Sequence, residues 1–469
     1  MNRISQKVLN TWFSLGTRFL PFADVATKEL PLGRLLRLSL FQVSCGMALV
    51  LLIGTLNRVM IVELGVPASL VGIMISLPLI FAPFRAIIGF QSDIHSSALG
   101  WRRVPFIWKG TLLQFGGLAI MPFALLVLAG KGHAAGAPLW IGYSGAALSF
   151  LLVGVGLHTV QTVGLALATD LAPPEAQPKV VGLMYVMLLL GMIVSALCFG
   201  LALANFSPGR LVQVIQSAAL ITMILNVIAM WKQESRKRST EAELAAALRR
   251  RPPQFSESWA SFMQNDNAIR RLTAVGLGTF GFGMADVILE PYGGQILHLT
   301  VGDTTKLTAT LAIGGLIGFG LASRVLSRGV DPLLMAGYGA MAGIPAFAAV
   351  ILASPMQAIP LFVLGTLMIG FGAGLFGHGT LTATMNMAPD DQAGLALGVW
   401  GAVQASAAGI AIALGGIIRD LVATLPVQSS YGTATGYVTV FSIEILFLVL
   451  ALVALGPLTF MKSAEVVRT

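Results

Sequence analysis

Lys232-Gln-Glu-Ser-Arg-Lys-Arg-Ser-Thr-Glu-Ala-Glu-Leu-Ala-Ala-Ala-Leu-Arg-Arg-Arg-Pro-Pro253, running on to Asn267, is the one sizeable polar passage in a chain that is otherwise apolar. Thr240-Glu-Ala-Glu243 reads as a capping box, with Leu244 to Leu248 continuing the helix it starts. Pro252-Pro253 then stops that helix. The passage is therefore expected to be a short surface helix on a tether, dividing two apolar regions of similar length.

A helix needs roughly 20 apolar residues to cross a bilayer. Before the polar passage such runs lie at 38–62, 68–90, 104–129, 139–168, 178–203 and 209–231. After it they lie at 270–297, 304–323, 331–353, 360–388, 393–423 and 435–460. The 469 residues are 56% hydrophobic and 10% charged, with a mean hydropathy of +0.84. A soluble domain has no means of hiding that much apolar surface. The expectation is an all-α integral membrane protein of about twelve transmembrane helices. It divides into a cytoplasmic N-terminal segment (1–37), a six-helix half (38–231), a cytoplasmic linker (232–269), a second six-helix half (270–460) and a tail (461–469).

Lys and Arg orient the chain. One side collects six in the N-terminal segment, nine from Lys232 to Arg271, and Arg102, Arg103, Lys179, Arg324, Arg328, Lys462 and Arg468. The other side holds Lys131, Arg210 and Lys306. Twenty-two against three makes both termini and the linker cytoplasmic, in a bacterial inner membrane. The formal charge of +9 is thereby explained by topology, and no nucleic-acid partner is expected. Cys45 and Cys198 both fall within spans, which argues against a disulfide framework or a zinc cluster. Arg18 and Asp24 interrupt the early apolar stretch, so no cleavable signal is expected. Val8, Leu9, Trp12, Phe13, Leu15, Phe19 and Leu20 recur at roughly helical spacing, as in a helix lying on the membrane surface.

The two regions repeat each other. Ala172-Pro-Pro-Glu175 ends the fourth run and Ala388-Pro-Asp-Asp391 the tenth, Gly182 matches Gly398, and Gly46-Met-Ala48 echoes Gly283-Met-Ala285. Between the second and third runs stand Gly89-Phe-Gln-Ser-Asp93 and Gly100-Trp-Arg-Arg103. This pattern resembles the major facilitator signature Gly-x-x-x-Asp-(Arg/Lys)-x-Gly-(Arg/Lys)-(Arg/Lys), with four extra residues after Asp93 and no basic residue following it. A weaker trace recurs at Gly320, Ser323-Arg324 and Ser327-Arg-Gly329. The resemblance implies the major facilitator fold of two six-helix halves. It also implies that Gly89, Asp93, Gly100, Arg102 and Arg103 form a cytoplasmic charge latch between them. Gly314-xxx-Gly318 and Gly370-xxx-Gly374 are small-residue spacings that let helix backbones approach in lipid.

Ionisable and amide groups within the spans are functional candidates because they are costly there. They are Asn57, Arg58, Arg85, His158, Gln161, Asp286, Glu290 and His378. Asp286 and Glu290 are four apart and share a helix face, and Pro291-Tyr-Gly-Gly294 loosens the helix after them. They suit either a titrating pair in a proton-coupled carrier or an ion pair with Arg58 holding the halves together. His158 and His378 lie in corresponding spans, and each imidazole suits either axial ligation of a chlorin magnesium or a hydrogen bond to a neighbouring hydroxyl or carbonyl. Gln161 accompanies His158 as a pigment-binding candidate, and no free metal ion is expected. The sequence contains no Gly-x-Ser-x-Gly, Walker loop, His-Glu-x-x-His or dinucleotide fingerprint, so no enzymatic activity is expected.

Longer strings carry a closer likeness. They are Leu30-Pro-Leu-Gly-Arg-Leu-Leu-Arg-Leu-Ser-Leu-Phe-Gln42, Gly54-Thr-Leu-Asn-Arg-Val-Met-Ile-Val-Glu-Leu-Gly65, Pro83-Phe-Arg-Ala86, Gly100-Trp-Arg-Arg-Val-Pro-Phe-Ile-Trp108, Gly117-Leu-Ala-Ile-Met-Pro122 and Gly283-Met-Ala-Asp-Val-Ile-Leu-Glu-Pro-Tyr-Gly-Gly294. In these the chain resembles the PucC/LhaA family of purple phototrophic bacteria, the bacteriochlorophyll delivery branch of the major facilitators. The resemblance implies an assembly factor for photosynthetic light-harvesting antenna that supplies bacteriochlorophyll and helps insert antenna polypeptides into an intracytoplasmic membrane. Implied partners are those polypeptides, the reaction centre–antenna complex, the protein translocase, chlorophyll synthase and membrane lipids. The alternative is a proton-coupled secondary transporter of a small lipophilic solute.

Overall fold

The computed structural model describes residues 31–80, 88, 91–92, 101–130, 136–173, 177–234, 267–387, 393–425 and 432–466. The described residues form helices and no strand. In the first half these are α1 (Leu32–Glu63), α2 (Ala68–Ile80), α3 (Val104–Leu128), α4 (Leu139–Leu171), α5 (Gln177–Ala202) and α6 (Pro208–Met230). The second half has α7 (Ala268–Gln295), α8 (Val301–Leu326), α9 (Pro332–Met356), α10 (Ile359–Met385), α11 (Ala393–Thr424) and α12 (Thr435–Val466). Eleven of the described helices are long and apolar enough to cross a membrane, and α2 is a shorter apolar helix. This is a multi-pass membrane protein, and its helices coincide with the apolar runs.

Helix is what lipid demands, because it satisfies every main-chain N–H and C=O within one segment. Starts are marked chemically. Ser207 caps α6 ahead of Pro208, Thr300 caps α8, and Asp331 Oδ1 accepts from Leu333 N at 2.7 Å ahead of Pro332. Side chains that would be hidden in a soluble protein face outward: Phe123 is 68%, Trp140 66% and Leu201 69% exposed. Their proper solvent is hydrocarbon.

Inside, small residues set the helix spacing. A Cβ added to Gly314 or Gly318 of α8 would strike the main chain of Leu367 and Phe371 in α10. One added to Gly370 or Gly374 would strike Leu311 and Gly315 in α8. The two Gly-xxx-Gly spacings therefore interlock with each other. Across the halves α1 packs on α7 and α8, α2 on α11, and α5 on α8. Gly200 and Gly302 bring α5 and α8 together so closely that a Cβ on either would lie 2.9 and 2.7 Å from the other's carbonyl oxygen.

The N-terminal surface helix (Val8 to Leu20), the linker helix (Thr240 to Leu248), Arg85, Gly89, Asp93, Gly100, Pro174-Glu175 and Ala388 to Asp391 lie outside the described residues. One end of the bundle carries Arg34, Arg102, Arg103, Arg270 and Arg271, and is called the arginine-rich end below.

Candidate functional site at the seam between the halves

The turns of α1 at Val50–Leu56 and Val59–Glu63 are wider than α-helical, with Leu64 N bonding back five residues to Val59 O at 3.0 Å. Such turns concentrate at functional sites because they re-aim side chains. Here they swing Arg58 round to Glu63, five residues on, and the two form an ion pair. Arg58 Nη2 also donates to Leu299 O, in the connection between α7 and α8, at 3.1 Å. The pairing of Arg58 with Asp286 or Glu290, one of the two sequence readings, is thus replaced by an ion pair within α1. The guanidinium still ties the halves together, through a main-chain carbonyl. Only 3% of Arg58 is exposed.

Asn57 makes the second tie. Its Nδ2 donates to Asp286 O at 3.2 Å and, at the limit of bonding distance, to Val287 O at 3.5 Å. Val287 O is the carbonyl that residue 291 would satisfy in a regular helix, and Pro291 has no N–H to offer. An amide of the first half therefore covers the gap that a proline opens in the second.

The seam is lined with acid. Glu290 is 2% exposed; its Oε1 accepts from Thr308 Oγ1 at 3.0 Å, and its Oε2 is buried with no partner among the described residues. Asp286 is half-buried one turn before it on the same helix. Thr55 faces Thr305 of α8 with hydroxyl oxygens 3.4 Å apart, and Gly54 lies against Thr308.

A third carboxyl completes the set, and sequence reasoning missed it. α7 is broken: one segment ends at Gly283, the next begins at Ala285, and Met284 joins them. Ala285 N donates to Glu444 Oε1 of α12 at 2.7 Å, while Glu444 Oε2 is buried without a partner among the described residues. Glu444 is 0% exposed. The signal was available, since Glu444 is the one charged residue between 435 and 460. Near the opposite end from the arginines, Asp420 Oδ2 of α11 accepts from Ser69 N of α2 at 2.7 Å. Arg419 binds Asp420 Oδ1 at 2.7 Å and Gln295 Oε1 at 2.6 Å, and Tyr437 OH donates to the same Gln295 oxygen at 2.7 Å.

At the arginine-rich end, Arg102 Nη2 and Arg103 Nε donate to Asp170 Oδ2 of α4 at 2.6 and 3.0 Å, and Arg103 Nη1 reaches Ser92 Oγ at 2.6 Å. The main-chain N–H groups of Arg102, Arg103 and Val104 close on the Glu234 carboxylate at 2.7, 3.0 and 3.0 Å, giving α3 its N-terminal cap. These contacts clasp the first half to itself.

The two histidines lie in opposite halves. His158 is half-buried on α4, one turn from Gln161, and its Nδ1 is buried. His378 of α10 packs against Phe319, with ring centroids 4.2 Å apart, and Phe319 in turn lies 6.3 Å from the Tyr185 ring of the first half. His378 Nδ1 is buried without a hydrogen bond among the described residues. Among the described residues no group of three or more His, Cys, Asp or Glu could hold a free metal ion.

Two six-helix halves, joined by hydrogen bonds from α1 to a broken α7, define an all-helical multi-pass membrane fold. The D-xylose–proton symporter structure superposes with a TM-score of 0.67 over 89% of this chain and 96% of that one, at 15% identity, a likeness of fold. Residues 55–463 match the PUCC protein family, and the chain belongs to it. It is 65% identical to Protein PucC of Rhodovulum sulfidophilum over 423 residues, covering 90% of this chain and 92% of that one. It is 58% identical to Protein PucC of Cereibacter sphaeroides over 468 residues, covering the whole of both.

Proposed function

We propose that this chain is a non-enzymatic assembly factor for photosynthetic light-harvesting antenna, which handles bacteriochlorophyll and assists insertion of antenna polypeptides. It works in the bacterial inner membrane with the arginine-rich end, both termini and the linker in the cytoplasm. The observation that carries this reading is the similarity to PucC proteins along the full length of the chain. The architecture is compatible with it: an apolar bundle with few polar anchors suits a chlorin with a long apolar tail better than a sugar or an ion. His378, packed on Phe319, is the donor type that takes the open axial position of a chlorin magnesium. When bound, that group would supply light absorption, and the protein's part is to hold it and keep water away.

Deletion in a phototrophic host tests the proposal. Antenna absorbance is expected to fall while total bacteriochlorophyll synthesis continues, and the intact gene restores it. Normal antenna levels in the deletion strain would overturn it. A second reading, proton-coupled transport of a small lipophilic solute, is favoured by one observation: Glu290 and Glu444 each bury a carboxyl oxygen that nothing in the described residues satisfies. Under that reading, Asp286→Asn with Glu290→Gln abolishes function, whereas an assembly factor tolerates the pair.

A further inference from the structure

Glu290 is only one of several oxygen-bearing groups at the seam. Thr305 lies one turn before Thr308 on the same face of α8, and both are buried. Opposite them on α1 stand Gly54 and Thr55, in the widened turn Val50–Leu56. A Cβ at Gly54 would collide with the Thr308 hydroxyl, so the glycine is what lets that hydroxyl approach α1. Thr308 is seven residues into α8, about 10 Å from the start of the helix at the helical rise. Groups from α1, α7 and α8, and so from both halves, come together around one carboxyl.

The hydroxyl hydrogens are already committed. Thr308 Oγ1 donates to Glu290 Oε1 at 3.0 Å and Thr305 Oγ1 to Val301 O at 2.9 Å, so both oxygens keep lone pairs to offer. Thr55 Oγ1 lies 3.4 Å from Thr305 Oγ1, near the limit of bonding distance. Glu290 Oε2 has no hydrogen-bond partner, and no ion pair reaches Glu290 or Asp286, among the described residues. Arg58 is committed to Glu63 and to Leu299 O. A carboxylate left in that condition inside a membrane protein is costly. A proton on Oε2 would cancel the charge but leave its O–H without an acceptor. A water molecule would occupy the lone pairs but leave the charge. A cation does both, and a hard one takes oxygen ligands of this kind.

We propose that the seam binds a monovalent alkali cation, with Glu290 Oε2 as its charged ligand and the hydroxyl oxygens of Thr55, Thr305 and Thr308 as neutral ones. One coordinating carboxylate among neutral hydroxyls matches a single positive charge, and Asp286, one turn away on α7, deepens the negative field. The site departs from the expectation, drawn from the sequence, of no free metal ion. Its neutral ligands are threonines, which a pattern of His, Cys, Asp and Glu does not contain. Drawing ligands from both halves, the ion would hold them together. The inference rests on the seam alone and on neither functional reading.

The test is the thermal midpoint of the full chain in detergent, titrated with sodium chloride against choline chloride at equal total chloride. A saturable rise with sodium and none with choline is expected. Thr305→Val keeps the shape and removes one ligand oxygen, and should raise the sodium concentration for half the effect about tenfold. Glu290→Gln should abolish the response. If that variant does not fold, Thr55→Val combined with Thr305→Val takes its place and should lose the response. Equal midpoints in sodium and choline would overturn the proposal, leaving the carboxyl to a proton or water. An undiminished sodium response in folded Glu290→Gln, or in the double threonine variant, would also overturn it, because the ion would then lie elsewhere.

Discussion

Asn57→Leu removes the amide that reaches across to α7, and its cost follows from the geometry. The substitution deletes the 3.2 Å bond to Asp286 O and the longer contact at 3.5 Å to Val287 O. A hydrogen bond between membrane helices contributes about 0.6 kcal/mol on average and up to about 1.7. Leaving a buried carbonyl unsatisfied adds about 1–3 kcal/mol. Because Pro291 denies Val287 O its helical partner, both terms apply, and the loss is expected to be about 2 kcal/mol in all. Pro291→Ala restores the missing N–H, so Asn57→Leu in that background should cost only the lost bond, about 1 kcal/mol or less. The assay is a double-mutant cycle on unfolding of the detergent-solubilised chain, reading the coupling between positions 57 and 291. A coupling of about 1 kcal/mol supports the reasoning. Strict additivity would refute it, because Asn57 would then not be compensating for the proline.

Other consequences follow from particular contacts. Gly370→Leu places a side chain on the main chain of Leu311, and the clash should cost about 1–3 kcal/mol or more, seen as a lowered thermal midpoint. Gly377→Leu, where nothing lies within 4 Å, should leave that midpoint near the wild-type value. Glu444→Gln keeps an oxygen for Ala285 N and should preserve slow amide exchange at the break in α7. Glu444→Leu removes it and should speed exchange over residues 284–287. Arg103→Gln loses Asp170 and Ser92 together and should loosen the first half's arginine-rich end, read as faster proteolysis between α2 and α3 without loss of the α8–α10 packing.

The helices and their division into halves could be read directly, because hydropathy acts over some twenty residues at a time and local error averages out. The Gly-xxx-Gly pairs of α8 and α10 were also legible as close-approach surfaces, although their being each other's partners was not: spacing shows a flat face and not what fills it. Arg58 resisted for a specific reason. Helical reasoning searches three and four residues away, and its acid, Glu63, lies five away on turns wider than α-helical. Asn57 was picked out for being polar in a span, but its task depends on Pro291 in another half of the molecule, a relation no local pattern contains. Glu444 was overlooked because it has no charged neighbour in sequence and acquires meaning only when α12 lies against the break at Met284.

The proposal that the chain handles bacteriochlorophyll is tested most directly by the absorption spectrum and pigment extract of the full-length protein, purified in mild detergent from pigment-replete phototrophic cells. Near-stoichiometric bacteriochlorophyll is expected, with its amount reduced in His378→Ala or His158→Ala. A colourless preparation from such cells would contradict the account.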